Sequence, residues 1–265
     1  MNWLEAFILA IIEGITEFLP VSSTGHMILA SSLMGIAAHP FTKLFTIAIQ
    51  FGAILAVVVE YRKKLLTVNK QRWITILVAF IPAAIIGKLL DDFIDSLLEN
   101  PTVVAITLLL GGLILIWIDT WLSGRSLNDK DPNRLQSFWI GCFQCIAMIP
   151  GVSRSAATII GGLIQGLSRT SAAEFSFFVA IPTMFAATSH KLFKYLKSGA
   201  HFQSEEIHLL LLGNVVAFVV AWLAIRSFIH FLNKNGFKLF GYYRVILGLI
   251  ILFILYVLQR PLQII

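Results

Sequence analysis

Six long apolar runs constrain the fold of this chain of 265 residues more than any other feature. They cover residues 42–59, 73–90, 102–122, 170–188, 208–225 and 240–258, and each is close to the roughly 20 residues that a helix needs to cross a bilayer. Hydrophobic residues make up 58% of the chain and charged residues 13%, with a mean hydropathy of +0.86, whereas soluble domains carry about 25% charge. The sequence therefore excludes a soluble globular enzyme and predicts an all-α polytopic integral membrane protein with six spanning helices.

Two further apolar stretches, 3–38 and 137–168, are broken near the middle by the polar segments FLPVSSTGH and IPGVSRS. A non-helical break at membrane depth is tolerated only where it is buried in protein or lines a wet cavity. We therefore predict that both stretches are re-entrant helical hairpins, each entering and leaving the membrane on one side.

The two halves of the chain repeat the same order of elements. A shift of 130 residues places Pro20 on Pro150 and Ser23 on Ser153, and each half holds one broken stretch and three spans. Because three crossings turn the second half upside down, we predict a single membrane domain, 1–265, built as an inverted repeat. The first copy lies in 1–122 and the second in 135–265.

The charges of the loops predict the orientation in the membrane. The net charge of +6 fits basic loops that face anionic lipid, so no nucleic-acid partner is expected. The loops expected on the cytoplasmic side are 61–72, 123–136 and 226–239. The acidic loop 91–99 falls on the outer side, where Lys191, Lys194 and Lys197 count against the assignment. The first hairpin then opens to the outside and the second to the inside.

The first broken stretch carries two acids one helical turn apart, Glu13 and Glu17. A carboxylate at mid-bilayer costs at least about 2.5 kcal/mol, so partners or a metal ion are expected nearby. The helix that follows the break has free N–H groups at its start and the hydroxyls of Ser22, Ser23 and Thr24, which together favour an anion. His26 lies one turn further on and is placed to donate to that anion or to move a proton. The alternatives are protonated or hydrogen-bonded acids in a packed helix, and a histidine that only packs.

The second broken stretch has the same outline, but its charge is an arginine. Arg154 lies between Ser153 and Ser155, and a planar guanidinium suits phosphate oxygens. The alternative is a structural arginine–glutamate pair with no ligand. Glu174 in the following span is expected to orient Arg154, to line the cavity or to pack, and Gln144 to contribute a hydrogen bond.

The two breaks together would offer carboxylates, an imidazole, hydroxyls, helix N-termini and a guanidinium. Carboxylates beside phosphate oxygens call for a bridging divalent cation, so the set is typical of phosphoryl transfer. The sequence holds no Walker loop, H-E-x-x-H or G-x-S-x-G motif, and it gives no support to nucleotide hydrolysis or proteolysis. Cys142 and Cys145 form a C-x-x-C in an apolar segment, where we expect packing rather than redox chemistry.

The motifs EGITEFLPVSSTGH and PGVSRSAATI resemble the two signature regions of the bacterial undecaprenyl-diphosphate phosphatase family, also called the bacitracin resistance family. The resemblance implies an enzyme of the bacterial plasma membrane that removes one phosphate from undecaprenyl diphosphate, recycling the lipid carrier of peptidoglycan synthesis. It also implies a divalent cation, Mg²⁺ or Ca²⁺, and an active site that opens to the extracytoplasmic face. The positions that match the family motifs are Glu13, Glu17, Ser22, Ser23, Thr24, His26, Ser153 and Arg154.

Our mechanistic hypothesis divides the candidates by role. Glu13 and Glu17 hold the metal or position Arg154, with Glu17 also among the catalytic residues. The other catalytic candidates are Ser23, His26 and Arg154. The candidates for phosphate binding are Ser22, Thr24, Gly25, Ser153, Arg154 and Ser155. Nucleophilic attack by Ser23 and attack by water both stay open at this point.

Two rival functions and three expected partners accompany this hypothesis. Because inverted repeats with broken helices are typical of alternating access, a polyprenyl-phosphate transporter (a flippase) is the alternative. A purely structural scaffold does not explain the ionisable groups in the broken segments. The expected partners are the polyprenyl diphosphate and membrane lipids, with a homodimer as a further expectation.

Overall fold

The computed structural model describes residues 1–67, 70–98, 100–123, 127–197, 202–258 and 262. Within those residues the chain is helical, with one isolated β-bridge between Asn128 and Leu167. The helices are α1 Trp3–Thr16, α2 Ser23–Leu33, α3 Pro40–Ala48, α4 Gln50–Glu60, α5 Arg62–Leu66, α6 Lys70–Leu89, α7 Asp91–Leu98, α8 Pro101–Leu122, α9 Arg134–Ile146, α10 Arg154–Ile164, α11 Arg169–Lys197, α12 Ser204–Asn235 and α13 Lys238–Leu252, which a π-helical turn, Phe253–Val257, extends.

The six predicted spans are confirmed. Six helical segments of the described chain are long and apolar enough to cross a membrane. They are α3 with α4 over Pro40–Glu60, α6, α8, α11, α12 and α13 with its extension over Lys238–Val257. The fold is therefore the predicted all-α, multi-pass membrane architecture.

Each broken stretch forms two helices around a short irregular segment. In the first, α1 ends at Thr16 and α2 begins at Ser23; in the second, α9 ends at Ile146 and α10 begins at Arg154. The proline at each break cannot donate a backbone hydrogen bond, which ends the preceding helix. The breaks are thus confirmed, while the depth at which the hairpins enter the membrane stays a prediction.

Helices of the first half pack on helices of the second half. The 130-residue shift pairs α1 with α9 and α6 with α12, and in the structure α1 packs on α12 whereas α9 packs on α6. Glycines allow both contacts, since a Cβ on Gly14 would lie 2.9 Å from the Ala217 carbonyl oxygen and one on Gly141 would lie 2.4 Å from that of Ala79. This arrangement is consistent with an inverted repeat and brings the two breaks close together.

One ion-pair cluster bears on the predicted orientation. Asp91 accepts hydrogen bonds from Lys191 at 3.1 Å, Lys194 at 3.2 Å and His190 at 3.4 Å. Burial alone would raise the pKa of Asp91, but these three donors lower it to about 2. Two of the three lysines that counted against the orientation are therefore paired with an acid on their own side. Of the other loop charges, Glu99 and Arg125 and the side chains of Asp92 and Asp95 lie outside the described part of the chain.

Candidate active site

The two breaks present the same backbone geometry. Ser22 and Ser153 are the two residues other than glycine with positive φ in the described chain, at 70° and 74°. Each is the N-cap of the helix that follows: the Ser22 hydroxyl accepts from the Gly25 N–H at 3.4 Å, and the Ser153 hydroxyl accepts from the Ala156 N–H at 3.2 Å. Positive φ costs a residue with a side chain about 1–3 kcal/mol and concentrates at functional sites. The two strained residues therefore lie in the two broken segments that the sequence predicted to carry the site.

Glu17 joins the first break to the second. Its Oε2 accepts from the Ser23 hydroxyl at 2.6 Å, and its Oε1 lies 3.3 Å from Nη2 of Arg154. All three side chains are buried or half-buried. A carboxylate, a hydroxyl and a guanidinium from opposite halves of the chain therefore meet at one point, as the sequence predicted.

Arg154 is further held by the helices around it. Its Nη1 donates to the Ser176 carbonyl oxygen at 3.1 Å, and its guanidinium carbon lies 5.6 Å from the centre of the Phe18 ring. Its Nε is buried and has no hydrogen-bond partner among the described residues. The arginine–glutamate pair considered from the sequence is present, and one guanidinium N–H stays free to donate.

Glu13 lies one turn before Glu17 and is 1% exposed. Neither of its carboxylate oxygens accepts a hydrogen bond from a donor in the described residues. Buried carboxylate oxygens without donors are costly, and a cation would satisfy them. No cluster of three or more His, Cys, Asp and Glu side chains is found in the described chain, but Mg²⁺ commonly uses only one or two carboxylates together with substrate phosphates and water. Glu13 and Glu17 therefore fit the predicted divalent cation.

The serines of the second break link it to the first. The Ser155 hydroxyl donates to the Leu19 carbonyl oxygen at 2.8 Å and lies 3.0 Å from the Ser153 hydroxyl. Ser155 is fully buried, so its hydroxyl is occupied by the contact between the breaks. Its role in phosphate binding stays a prediction, as do those of Ser22, Ser153 and Gly25, which take part in the helix caps. Thr24 is half-buried, and its hydroxyl makes no hydrogen bond to a described residue.

His26 is placed by α2 beside the break. Its Nδ1 lies 2.7 Å from the Ser22 carbonyl oxygen and its Nε2 lies 2.5 Å from the Tyr243 hydroxyl. The ring is half-buried, and its hydrogen bonds fix both its direction and its distance from the strained Ser22. Its role in catalysis stays a prediction.

The structure reveals a further buried cation that the sequence reasoning missed. Arg244 of α13 is 0% exposed and donates only to backbone carbonyls. The acceptors are those of Pro20 at 3.2 Å, Gly151 at 3.0 Å, Val152 at 3.0 Å and Thr107 at 3.2 Å. It thus binds both breaks at once. An arginine inside the span 240–258 was the available signal, because a charge within a membrane helix is a functional or structural site by default.

Close packing holds Arg244 and the second break in place. A Cβ on Gly111 of α8 would lie 2.2 Å from Nη2 of Arg244. The Thr107 hydroxyl donates to the Pro150 carbonyl oxygen at 2.6 Å. The helix pair α8 and α13 therefore packs against both breaks and holds them in place.

Two sequence-based expectations have different outcomes. The expectation that Glu174 orients Arg154 was wrong, because its carboxylate binds Lys64 Nζ with both oxygens at 2.7 Å, while a place in the cavity lining stays a prediction. The sequence could not place Lys64 of the distant α5 beside α11. Gln144 contributes a hydrogen bond as expected, since it accepts from the Thr183 hydroxyl at 3.4 Å, while its buried Nε2 has no partner in the described residues.

Comparisons with known proteins place the chain among membrane phosphatases. Residues 6–250 match the family model described as bacitracin resistance protein BacA. A protein named undecaprenyl-diphosphatase from Flavobacterium johnsoniae is 59% identical over 256 residues, which is 96% of each chain. Proteins of the same name from Bdellovibrio bacteriovorus and Aquifex aeolicus are 51% and 47% identical, over 97% and 93% of this chain and 97% and 96% of their own length. The family match thus covers both breaks, five of the six spans in full and most of the last one.

Proposed function

Because this chain belongs to the bacitracin resistance protein BacA family, we propose that it hydrolyses undecaprenyl diphosphate to undecaprenyl phosphate and inorganic phosphate. The monophosphate is the lipid carrier that peptidoglycan synthesis uses again, and its recycling confers tolerance to bacitracin. The observation that carries the proposal is the meeting of Glu17, Ser23 and Arg154 from opposite halves of the chain.

The diphosphate is held by Arg154 and by the N–H groups at the helix starts of both breaks. Nη2 of Arg154 lies beside Glu17, Nη1 donates to the Ser176 carbonyl oxygen, and Nε has no partner among the described residues. A planar guanidinium binds phosphate oxygens in pairs. The N-termini of α2 and α10 add the partial positive charge of their first turns. The break segments therefore provide the electrostatic part of catalysis, which in phosphoryl transfer is the larger part.

Glu13 and Glu17 are the residues that would hold a divalent cation. Such a cation neutralises phosphate oxygens as charge develops on them. The support is the pair of Glu13 oxygens that lack a donor. Glu17 would share this site, and its Oε1 also fixes the direction of Arg154.

His26 transfers the proton, and either Ser23 or water provides the attacking oxygen. Ser23 donates its proton to a carboxylate at 2.6 Å, which supports a nucleophile prepared for deprotonation. His26 stands one turn further on α2 and is held by the Ser22 carbonyl. Either attack is in line on the terminal phosphorus, and the lipid monophosphate leaves. Attack by water releases inorganic phosphate directly, whereas attack by Ser23 gives a phosphoserine that water then hydrolyses.

The location follows from the same argument. Six spans and basic loops on one side support the bacterial plasma membrane as the site of action, with the active site open to the extracytoplasmic face. Apolar side chains cover the outer faces of the spans, and the polyprenyl tail would lie along them. The comparisons give no support to the polyprenyl-phosphate transporter.

The test is phosphate release from undecaprenyl diphosphate by purified protein in detergent, which has no sides. A phosphatase releases phosphate there, whereas a transporter does not. Replacing Arg154 by Ala should lower the rate by about 10³-fold, because it removes charge stabilisation of the transition state. Arg226→Ala is the matched control, since Arg226 is half-exposed and pairs with Glu60 away from the breaks.

Two outcomes contradict the proposal or a part of it. Near-wild-type release by Arg154→Ala would remove the second break from catalysis. Full activity in strong chelator without added cation would remove the metal role alone and leave the rest in place.

A further inference from the structure

Both nitrogens of the His26 ring have partners, and the partners fix which nitrogen carries the proton. A carbonyl oxygen only accepts hydrogen bonds, so Nδ1, at 2.7 Å from the Ser22 carbonyl oxygen, is the donor. In the neutral ring Nε2 is then the acceptor, and the Tyr243 hydroxyl at 2.5 Å donates to it. The basic nitrogen of His26 is therefore already occupied by a side chain of α13.

The occupied nitrogen restricts how His26 exchanges a proton. A lone pair that accepts from Tyr243 does not accept from water or from Ser23 at the same time. The two rings lie nearly parallel, at 6° with centres 5.5 Å apart, and the contact joins residues 217 positions apart in the chain. Tyr243 is 46% exposed as a whole residue, and its hydroxyl oxygen keeps an accepting lone pair while its proton is donated to His26.

We propose that Tyr243 is a catalytic residue that relays a proton between His26 and the attacking oxygen. This proposal rests on the proposed function and adds a residue to it. When water attacks the terminal phosphorus, one of its protons passes to the Tyr243 oxygen and the phenolic proton passes to Nε2. The bond between that phosphorus and the bridging oxygen breaks, and the lipid monophosphate leaves with the electron pair. The imidazolium returns its proton by the same path to the phosphate product, which restores the resting state.

The geometry of α13 supports this role over simple packing. The next residue, Arg244, is anchored to carbonyls of both breaks, so the helix position of Tyr243 is fixed relative to the site. A residue that only packed against His26 would not require its hydroxyl at the end of the ring. Tyr242 precedes it on the same helix, is also 46% exposed and makes no hydrogen bond to a described residue.

The experiment compares Tyr243→Phe with Tyr242→Phe in single-turnover phosphate release from undecaprenyl diphosphate in detergent. Proton transfer by a positioned side chain contributes typically about 10²–10⁴-fold, so Tyr243→Phe should lower the rate of the chemical step by about 10²-fold. Its substrate affinity should change by less than about threefold, since the ring and its packing remain. Tyr242→Phe, which removes an unbonded hydroxyl from the same helix, should match the wild type.

Two further measurements exclude a merely structural role. On a His26→Ala background, Tyr243→Phe should have no further effect, because residues that act as one unit are not additive. A plot of the rate against the deuterium fraction of the solvent should be curved for the wild type, because two protons move in the chemical step. The same plot should be linear for Tyr243→Phe.

The outcomes separate the relay from the function on which it rests. If the wild type releases no phosphate, the proposed function is wrong. If the wild type is active and Tyr243→Phe matches Tyr242→Phe, only the relay is wrong. Additive losses with His26→Ala, or a linear solvent dependence in the wild type, also overturn the relay.

Discussion

The two breaks share a backbone and differ in charge. Ser22 and Ser153 adopt the same positive φ and cap α2 and α10 with the same hydroxyl contact. The first break nevertheless carries Glu13, Glu17 and His26 nearby, whereas the second carries Arg154. The backbone geometry is therefore a repeated scaffold, and the chemistry lies in the side chains that each copy adds to it.

The difference shows how an inverted arrangement can build one site from two copies. A break with acids alone would repel a diphosphate, and a break with an arginine alone would leave a buried cation without a partner. The contact between Glu17 and Arg154 satisfies both at once. Neither half is expected to act without the other, because each provides the counter-charge that the other needs.

After Arg154→Ala, the largest expected effect comes from removing the acid from this contact. Glu17→Gln keeps the shape of the side chain but removes its charge, so Arg154 and Ser23 both lose their anionic acceptor. We expect phosphate release to fall by about 10²–10³-fold, the range measured for loss of one electrostatic stabiliser. Glu60→Gln is the control, since Glu60 binds Trp222 and Arg226 elsewhere.

The double variant Glu17→Gln with Arg154→Ala sharpens this comparison. If the two breaks form one unit, the double variant loses little more activity than either single variant. Losses that multiply would mean that the breaks act independently and that their contact is structural.

A second prediction concerns Arg244, which contacts both breaks. Arg244 donates to carbonyls of both, namely Pro20 in the first and Gly151 and Val152 in the second. Arg244→Met keeps most of the volume and leaves these buried carbonyls unsatisfied, which costs about 1–3 kcal/mol for each group affected. We expect a clearly lower thermal unfolding midpoint in detergent, together with a fall of about 10-fold or more in phosphate release.

Controls distinguish this effect from a general loss of folding. Arg226→Met removes a half-exposed cation from α12 and should change both measurements little. Arg244→Lys keeps the charge with fewer donors and should fall between Met and the wild type. A stable Arg244→Met protein with full activity would show that the breaks hold their geometry without α13.

The sequence predicted most of the fold because the bilayer leaves few choices. Runs of about 20 apolar residues are helices in a membrane, so all six spans followed from hydropathy. The pair of Glu17 and Arg154 was also within reach, since a charge in an apolar segment requires a partner. These are rules about single positions and their surroundings, and one sequence suffices to apply them.

The contacts that were missed depend on how distant helices meet. Tyr243 reaches His26, and Lys64 reaches Glu174, across more than a hundred residues of chain. Nothing in the local pattern of α13 indicates which face it turns toward α2, and a tyrosine near a span end also fits the interfacial belt. Arg244 could have been singled out from the sequence as an arginine inside a span. Its acceptors are backbone carbonyl oxygens, however, and these cannot be identified from residue types.

The smallest expected effect tests whether the two breaks are one scaffold. Ser22→Ala and Ser153→Ala each remove an N-cap hydroxyl, which costs about 1 kcal/mol, whereas Gly at an N-cap costs only a few tenths. Glycine also relieves the positive φ of 70° and 74° that alanine does not. We therefore expect both alanine variants to lower the unfolding midpoint and both glycine variants to leave it unchanged or raise it.

The same variants separate capping from substrate binding. If the hydroxyls of Ser22 and Ser153 serve the caps alone, the glycine variants keep both stability and phosphate release. If one hydroxyl also binds phosphate, the glycine variant at that break loses activity while it keeps its stability. A loss confined to Ser153→Gly would assign phosphate binding to the break that carries the arginine, and equal losses at both would make the repeated scaffold itself part of the binding site.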